Sequence, residues 1–250
     1  MRKLILFTLM VLLAASPALA DFTNGGFEDG SFNGWTKGGG LFTGSYSYSG
    51  DPGKSAIVTP GLDPYTNNAL QQVAYGNYAA RVNNYDYGYH FSTLKQQAVW
   101  TANNIYFAWA AVLEEPGNLH PESAAPHFSI ILKDLTSGQT LYNQSFNVYN
   151  AGSTGITWLN GYYDGYNQWK YSNWVIANLD TSGVIGHTLE LSVLASDCGW
   201  YGHGGYAYVD GFSQFIPPPP PGAVPVPASV LLLGSGLVGL IGYARMRLNK

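Results

Sequence analysis

The sequence predicts an all-β fold, an antiparallel β-sandwich that is most simply a jelly roll. Three observations carry this reading. Short runs of β-type residues recur at Asn77–Val82, Ser92–Trp100, Ile105–Leu113, His127–Lys133, Thr140–Val148, Asn173–Leu179, His187–Leu194 and Gly205–Phe215. Gly, Asn, Asp or Pro clusters separate most of them, the punctuation expected between strands. No long stretch between them has helical period, and about eight strands without crossover helices stack as two antiparallel sheets. Composition agrees: charged residues are only 10% of the chain, while Gly, Asn and Tyr are abundant.

The two ends are built differently. Arg2 and Lys3 precede an apolar run from Leu4 to Ala15, and Ala18-Leu19-Ala20 fits the small-residue cleavage rule. Residues 1–20 therefore read as a secretory signal peptide with a mature start near Asp21, the run being too short to span a bilayer. Residues 21–216 form one sandwich domain without an internal linker. Five consecutive prolines, Pro217 to Pro221, open a Pro-rich linker over 217–227 that is extended and free of internal hydrogen bonds. Residues 228–250 then read as a single transmembrane helix, Ala228 to Ala244, with a basic tail. Arg245, Arg247 and Lys250 keep that tail cytoplasmic and the domain outside. Gly234, Gly236 and Gly239 match Gly-x-Gly-x-x-Gly, but they stand inside the apolar span, without a preceding strand or a following acidic residue. Small residues of a membrane helix explain them better than a nucleotide site.

Charge and cysteine usage narrow the partners. All 15 acidic residues lie in the exported part, which holds only six of the 11 basic ones, nine negative charges in excess. That balance argues against nucleic acid or an anionic membrane surface. Cys198 is the only cysteine, so no internal disulfide forms, and a free cysteine of this kind is expected to be buried rather than nucleophilic. Catalytic motifs are absent from the domain: there is no Gly-x-Ser-x-Gly elbow and no His-Glu-x-x-His. Glu114 and Glu115 are adjacent, so on a strand they face opposite sides and make no glycosidase pair. The chain reads as non-catalytic.

At its C-terminal end the chain resembles a known family. The order of a Pro-containing motif, Val224-Pro225-Val226-Pro227, a short apolar helix and a basic tail is similar to the PEP-CTERM sorting signal of Gram-negative bacteria. Val226 stands where the name-giving glutamate would. The resemblance implies an exosortase-type membrane peptidase as partner, removal of the tail, and a cell-surface or secreted product; a permanent membrane anchor is the alternative.

Two segments of the domain carry a second resemblance. "NGGFEDGSFNGWT" (Asn24 to Thr36) resembles the opening strand of carbohydrate-binding-module jelly rolls and galactose-binding-like domains. "SDCGWYGHGGYAYVDGF" (Ser196 to Phe212) resembles the closing strand of that fold in secreted bacterial surface proteins, and Ala110–Asp134 and Trp169–Cys198 fit the same pattern. The resemblance implies a structural Ca²⁺ held by Glu28 of the first strand and Asp210 of the last. Hard oxygen ligands suit that ion; the alternative is that both carboxylates accept turn amides. His203, among Gly202, Gly204 and Gly205, lacks partners at zinc-ligand spacing, since His120 and His127 are seven apart and no second cysteine exists. It is expected to be hydrogen-bonded within the closing corner.

The residues expected to meet a ligand are aromatic. The longest irregular insert, Asn150 to Lys170, holds Trp158, Tyr162, Tyr163, Tyr166 and Trp169 with Asn160, Asp164, Asn167 and Gln168. Trp200 and Tyr201 flank the closing corner. Sugar rings stack their C–H faces on such rings if the rings stand in solvent, whereas Trp35 is expected in the core. Together these features point to a surface or extracellular-matrix protein in adhesion or exopolysaccharide association. A dedicated carbohydrate-binding module is the second reading, and a glycan-active enzyme a distant third.

Overall fold

The computed structural model describes residues 22–117, 120–200 and 202–220. The signal peptide, the Val224–Pro227 motif, the apolar span from Ala228 and Tyr201 lie outside them. Among the described residues no helix is long and apolar enough to cross a membrane.

Two antiparallel sheets stack face to face. One has the order β2 (Tyr46–Tyr48), β1 (Thr36–Phe42), β5 (His90–Val99), β12 (Thr188–Ser196), β7 (His127–Asp134), β8 (Gln139–Phe146). The other runs β3 (Ala56–Val58), β4 (Ala79–Val82), β13 (Gly205–Ser213), β6 (Asn104–Glu115), β10 (Gln168–Tyr171), β9 (Leu159–Tyr163). A further strand, β11 (Val175–Asp180), pairs with the first half of β6, while β10 pairs with its second half. Each of the eight strands expected from the sequence is present, within a few residues of its expected ends.

Alternation explains the layering. Along β12, Leu189, Leu191, Val193 and Ala195 enter the main core between the sheets. Along β6, Ile105, Phe107, Trp109, Ala111 and Leu113 do the same, but Ala108, Ala110 and Val112 on its other face are buried too. The second sheet is therefore covered on both sides. The outer cover is the segment 59–78, whose Leu70 and Ala74 pack with Trp169, Tyr171, Trp174, Tyr206 and Tyr208.

The closing strand uses both faces. Ala207 and Val209 point into the main core, whereas Tyr206 and Tyr208 belong to the outer cluster and Asp210 accepts amides from the cover. A register shift after Asp210, at Gly211 (φ +67°), reverses that alternation. Phe212 thereby returns to the core and stacks on Phe107 at 4.4 Å. Only glycine suits this bulge, because a Cβ would sit 2.8 Å from the Tyr75 ring.

Two expectations need correcting. Asn24–Thr36 is not a strand: residues 22–35 form successive turns, with Asn24 and Phe27 in the left-handed region, and β1 starts at Thr36. Its aromatic residues still enter the core, where Trp35 lies 4.6 Å from Phe212. Asn150–Lys170 is not an irregular loop either. It carries a one-turn helix, α1 (Ala151–Thr154), strand β9 and most of β10, which add a hairpin to the sheet edge. Polar residues misled the sequence reading here, because an edge hairpin can be wet on one face.

Trp109, buried against Phe128 at 5.0 Å and Phe146 at 4.6 Å, spans the gap between the sheets. Replacing Trp109 by alanine should cost about 3–5 kcal/mol of stability, read from denaturant unfolding.

Candidate functional site

A buried carboxylate holds the outer cover in place. Asp63 accepts the Tyr206 hydroxyl at 2.7 Å, the Tyr208 hydroxyl at 2.6 Å and the Tyr65 amide at 2.8 Å. The last of these caps a short 3-10 turn, Pro64–Thr66. Burial pushes the Asp63 pKa up, and the two tyrosine hydroxyls pull against that.

The turn presents Tyr65, whose ring lies 4.6 Å from Trp169, 5.1 Å from Tyr85 and 6.2 Å from Tyr162. Pro64, Tyr65, Tyr85 and Tyr162 line an open groove of about 390 Å³. Close approach of β9 makes this possible: Asn67 Nδ2 donates to Gly161 O at 2.8 Å, and a Cβ on Gly161 would meet Tyr65 O at 2.2 Å. Tyr85 and Tyr162 are each 44% exposed. Arg81 lies 5.9 Å from the Tyr85 ring centroid. Around the groove, Lys170 Nζ donates to Asn160 Oδ1, and Asp164 Oδ1 accepts the Tyr166 and Asn167 amides in the β9–β10 turn.

The aromatic residues singled out from the sequence divide. Tyr162, Tyr163, Tyr166 and Trp200 stand in solvent. Trp169 does not: it is 1% exposed and forms the floor under Tyr65. Trp158 is half-buried and packs against the main core. Trp169 therefore offers no free face to a ligand. Trp200 rests on His120 at 5.3 Å and is not among the groove's lining residues. Tyr65 and Tyr85, which complete the groove, carry no sequence signal that ties them to the insert, since they lie 85 and 65 positions before it begins. A larger hollow of about 640 Å³ lies beside Phe42, Tyr46, His127 and Asn147, but Phe42 and His127 are buried and it shows no comparable cluster of exposed rings.

Glu28 and Asp210 do converge, although Glu28 sits in a turn before β1 and not on a strand. Both flank Gly26, where a Cβ would lie 3.6 Å from Glu28 Cγ and 3.9 Å from Asp210 Oδ1. Glu28 accepts the amides of Asn77 and Tyr78 at 3.0–3.1 Å, and Asp210 Oδ2 those of Ala74 and Tyr75 at 3.1 and 2.8 Å. Turn amides thus satisfy three of the four carboxylate oxygens. Asp210 Oδ1 is buried without a donor. Burial pushes the Asp210 pKa up to about 7, with the Glu28 charge adding to it. A hard cation fits the remaining oxygen, since it would satisfy the atom and neutralise two adjacent carboxylates together.

The closing corner is held by another carboxyl. Asp197 accepts from Asn83 Nδ2 (2.9 Å), the His90 amide (2.9 Å) and the Gly205 amide (3.4 Å). Cys198 is fully buried, 3.4 Å from His203 Nδ1, so the histidine bonds within the corner. His120, set aside in the sequence for want of spacing, also reaches this corner. Behind the groove, buried Glu114 accepts the Gly204 amide at 2.9 Å through Oε2, and its Oε1 has no donor. Glu115, next along β6, turns the other way to Lys170 at 3.3 Å.

No known protein-family profile matches the chain, and no curated protein matches it in sequence. Among solved structures, the carbohydrate-binding module TmCBM61 in complex with β-1,4-galactotriose aligns over 77% of this chain and 96% of its own, at 16% identity and a TM-score of 0.40. A xylan-binding domain of carbohydrate-binding module family 22 aligns over 79% of this chain and 95% of its own, at 13% identity and a TM-score of 0.32. The enzymatically active domain of a bacteriophage CBA120 tailspike protein aligns over 79% of this chain but 22% of its own, at 12% identity and a TM-score of 0.36. At these identities and TM-scores the alignments say nothing of what this chain binds.

Burial, with the charge of Asp164 adding to it, lifts the Glu114 pKa from 4.5 to about 7, against the Gly204 amide. A carboxyl raised in this way stabilises the fold fully below pH 4.5, and the contribution is lost as pH rises through about 7. Melting temperature should therefore fall across that window less steeply in Glu114→Gln than in the wild type. Parallel slopes for the two would show that Glu114 titrates as it does in the unfolded chain.

Proposed function

We propose that this protein is an exported, non-catalytic surface or extracellular-matrix component that associates with polysaccharide through the Tyr65–Tyr85–Tyr162 groove. One observation carries the reading: three tyrosine rings gather round one open groove, two of them nearly half exposed, on a frame fixed by a buried carboxylate. Exposed aromatic clusters mark a partner, and rings with a polar tip suit the apolar faces and hydroxyl rims of sugars. Asn160 and Lys170 supply hydrogen-bonding side chains nearby. The non-catalytic reading is supported by Glu114, which is sealed from the groove.

The remaining parts follow from the ends of the chain and the Asp210 oxygen. In this reading residues 1–20 act as a signal peptide and the Val224–Pro227 motif with its apolar tail as a sorting signal, so that the domain reaches the cell surface or the medium and an exosortase-type peptidase acts on the tail. Calcium held by Glu28 and Asp210 is a structural ion that ties the cover to β13. It supplies positive charge at that spot and no chemistry.

Two measurements test this. Tyr85→Ala and Tyr162→Ala should each weaken polysaccharide binding about tenfold with melting temperature nearly unchanged, whereas Trp169→Ala should cost about 3–5 kcal/mol of stability. A glycan array on which the folded wild-type protein stays silent would move the reading to a protein-only surface scaffold. For the ion, calcium at a hundred times its dissociation constant should add roughly 2.7 kcal/mol of stability, and Asp210→Asn should abolish the gain. Identical melting curves with calcium and with chelator would leave turn amides as the whole role of both carboxylates.

A further inference from the structure

The β6–β7 and β12–β13 connections meet at one end of the sandwich. Gly199 N donates to Ala124 O at 2.8 Å, joining the two connections, and Cys198 N donates to His203 O at 2.9 Å, folding the second back on itself. His120 enters the corner from the first connection, and Cys198 and His203 from the second. One ligand-type atom of each lies within 4.8 Å of the other two. Cys198 Sγ is 3.4 Å from His203 Nδ1, the two imidazoles meet edge to face at 4.7 Å, and Trp200 covers His120. The geometry points to a metal site that takes a borderline divalent ion of the zinc class on His120, Cys198 and His203.

Ligand chemistry, distance and satisfaction agree on this. One thiol and two imidazoles are the soft and borderline donors that select zinc over calcium or magnesium. Tetrahedral bonds of about 2.0–2.3 Å set ligand atoms roughly 3.5 Å apart. The Cys198–His203 pair already has that spacing, and His120 needs to close by about 1 Å to reach it. His120 Nδ1 is a buried atom with no hydrogen-bond partner, and the protein gives it none to lose on turning inward. Burial pushes the Cys198 thiol up; on binding, the thiol proton passes to solvent and the thiolate stays on the metal. Three protein ligands leave a fourth position for water.

Such an ion would pin two connections that otherwise meet through a backbone hydrogen bond and the ring contacts of His120. It would also fix Gly204, next to His203, where a Cβ would lie 2.9 Å from Trp169 and 3.0 Å from Tyr85 O. The corner and the tyrosine groove share this wall, but the metal reading stands whether or not the groove binds a glycan.

The test is optical. Metal-stripped, purified full-length protein titrated with Co²⁺ should develop a thiolate-to-cobalt charge-transfer band that saturates at one ion per chain and is bleached by Zn²⁺. Cys198→Ser should lose the band. Because Cys198 is buried and that variant can misfold, His120→Ala, on a half-buried connection, is the decisive one: with an unchanged circular dichroism spectrum it should bind Co²⁺ at least about tenfold more weakly. Asp210→Asn should keep the band, which separates this site from the Glu28–Asp210 pair. Folded wild-type protein without a charge-transfer band, or undiminished affinity in His120→Ala, would overturn the proposal and leave a thiol–imidazole hydrogen bond as the closure of the corner.

Discussion

The structure depends on a carboxylate that two tyrosine hydroxyls meet in the dark. Asp63, Tyr206 and Tyr208 join the 59–78 cover to the outer face of β13. Without that junction the second sheet would show water a face of Ala108, Ala110, Val112 and Trp169. With it, one short segment does three things in order along the chain. It presents Tyr65 to the groove, sends the Ala74 and Tyr75 amides to Asp210, and sends the Asn77 and Tyr78 amides to Glu28. The groove and the paired carboxylates are thus consequences of a single docking event. An unpaired buried carboxylate is costly, so the cover has one position in which Asp63 is satisfied.

Much of this was legible in "GYAYVDGF". Period-two alternation separates Ala207 and Val209, which face the core, from Tyr206, Tyr208 and Asp210 on the other face. Tyrosine and aspartate on the second face already implied that something polar covers it. The eight strands were legible for the same reason: apolar residues at alternate positions between Gly, Asn and Pro clusters admit little else. The cover itself was not. It has no strand or long helix, and several of its hydrogen bonds run to residues more than a hundred positions away, such as Asp63 to Tyr206.

The site was legible in kind and less so in membership. Tyrosine-rich stretches announced an aromatic surface, yet exposure is a tertiary property. Trp169 and Tyr162 sit in the same hairpin, and pairing alone decides that one becomes floor and the other wall. Trp158, just before β9, packs its half-buried ring against the main core. His120 illustrates the same limit. Metal-ligand spacing describes sites built within one local segment, whereas this corner draws on two connections brought together by the stacking of the sheets.

Scarcity of cations shapes the whole molecule. Within residues 21–216 six basic residues cannot neutralise 15 acidic ones, and the lysines that form ion pairs, Lys37, Lys54 and Lys170, do so near the surface. The buried carboxyls turn to loop amides instead. Asp63, Asp210 and Glu114 each gather at least one backbone N–H from a connection that has no ladder of its own, and Asp197 gathers those of His90 and Gly205 where two strands begin. Each such bond orders a loop at the cost of burying an acid, which is why burial raises the pKa of all four. The solution is incomplete at two atoms, Asp210 Oδ1 and Glu114 Oε1. At Glu114 the charge of Asp164 adds to the effect of burial. At Asp210 the Glu28 carboxylate, on the other side of Gly26, adds its charge in the same way.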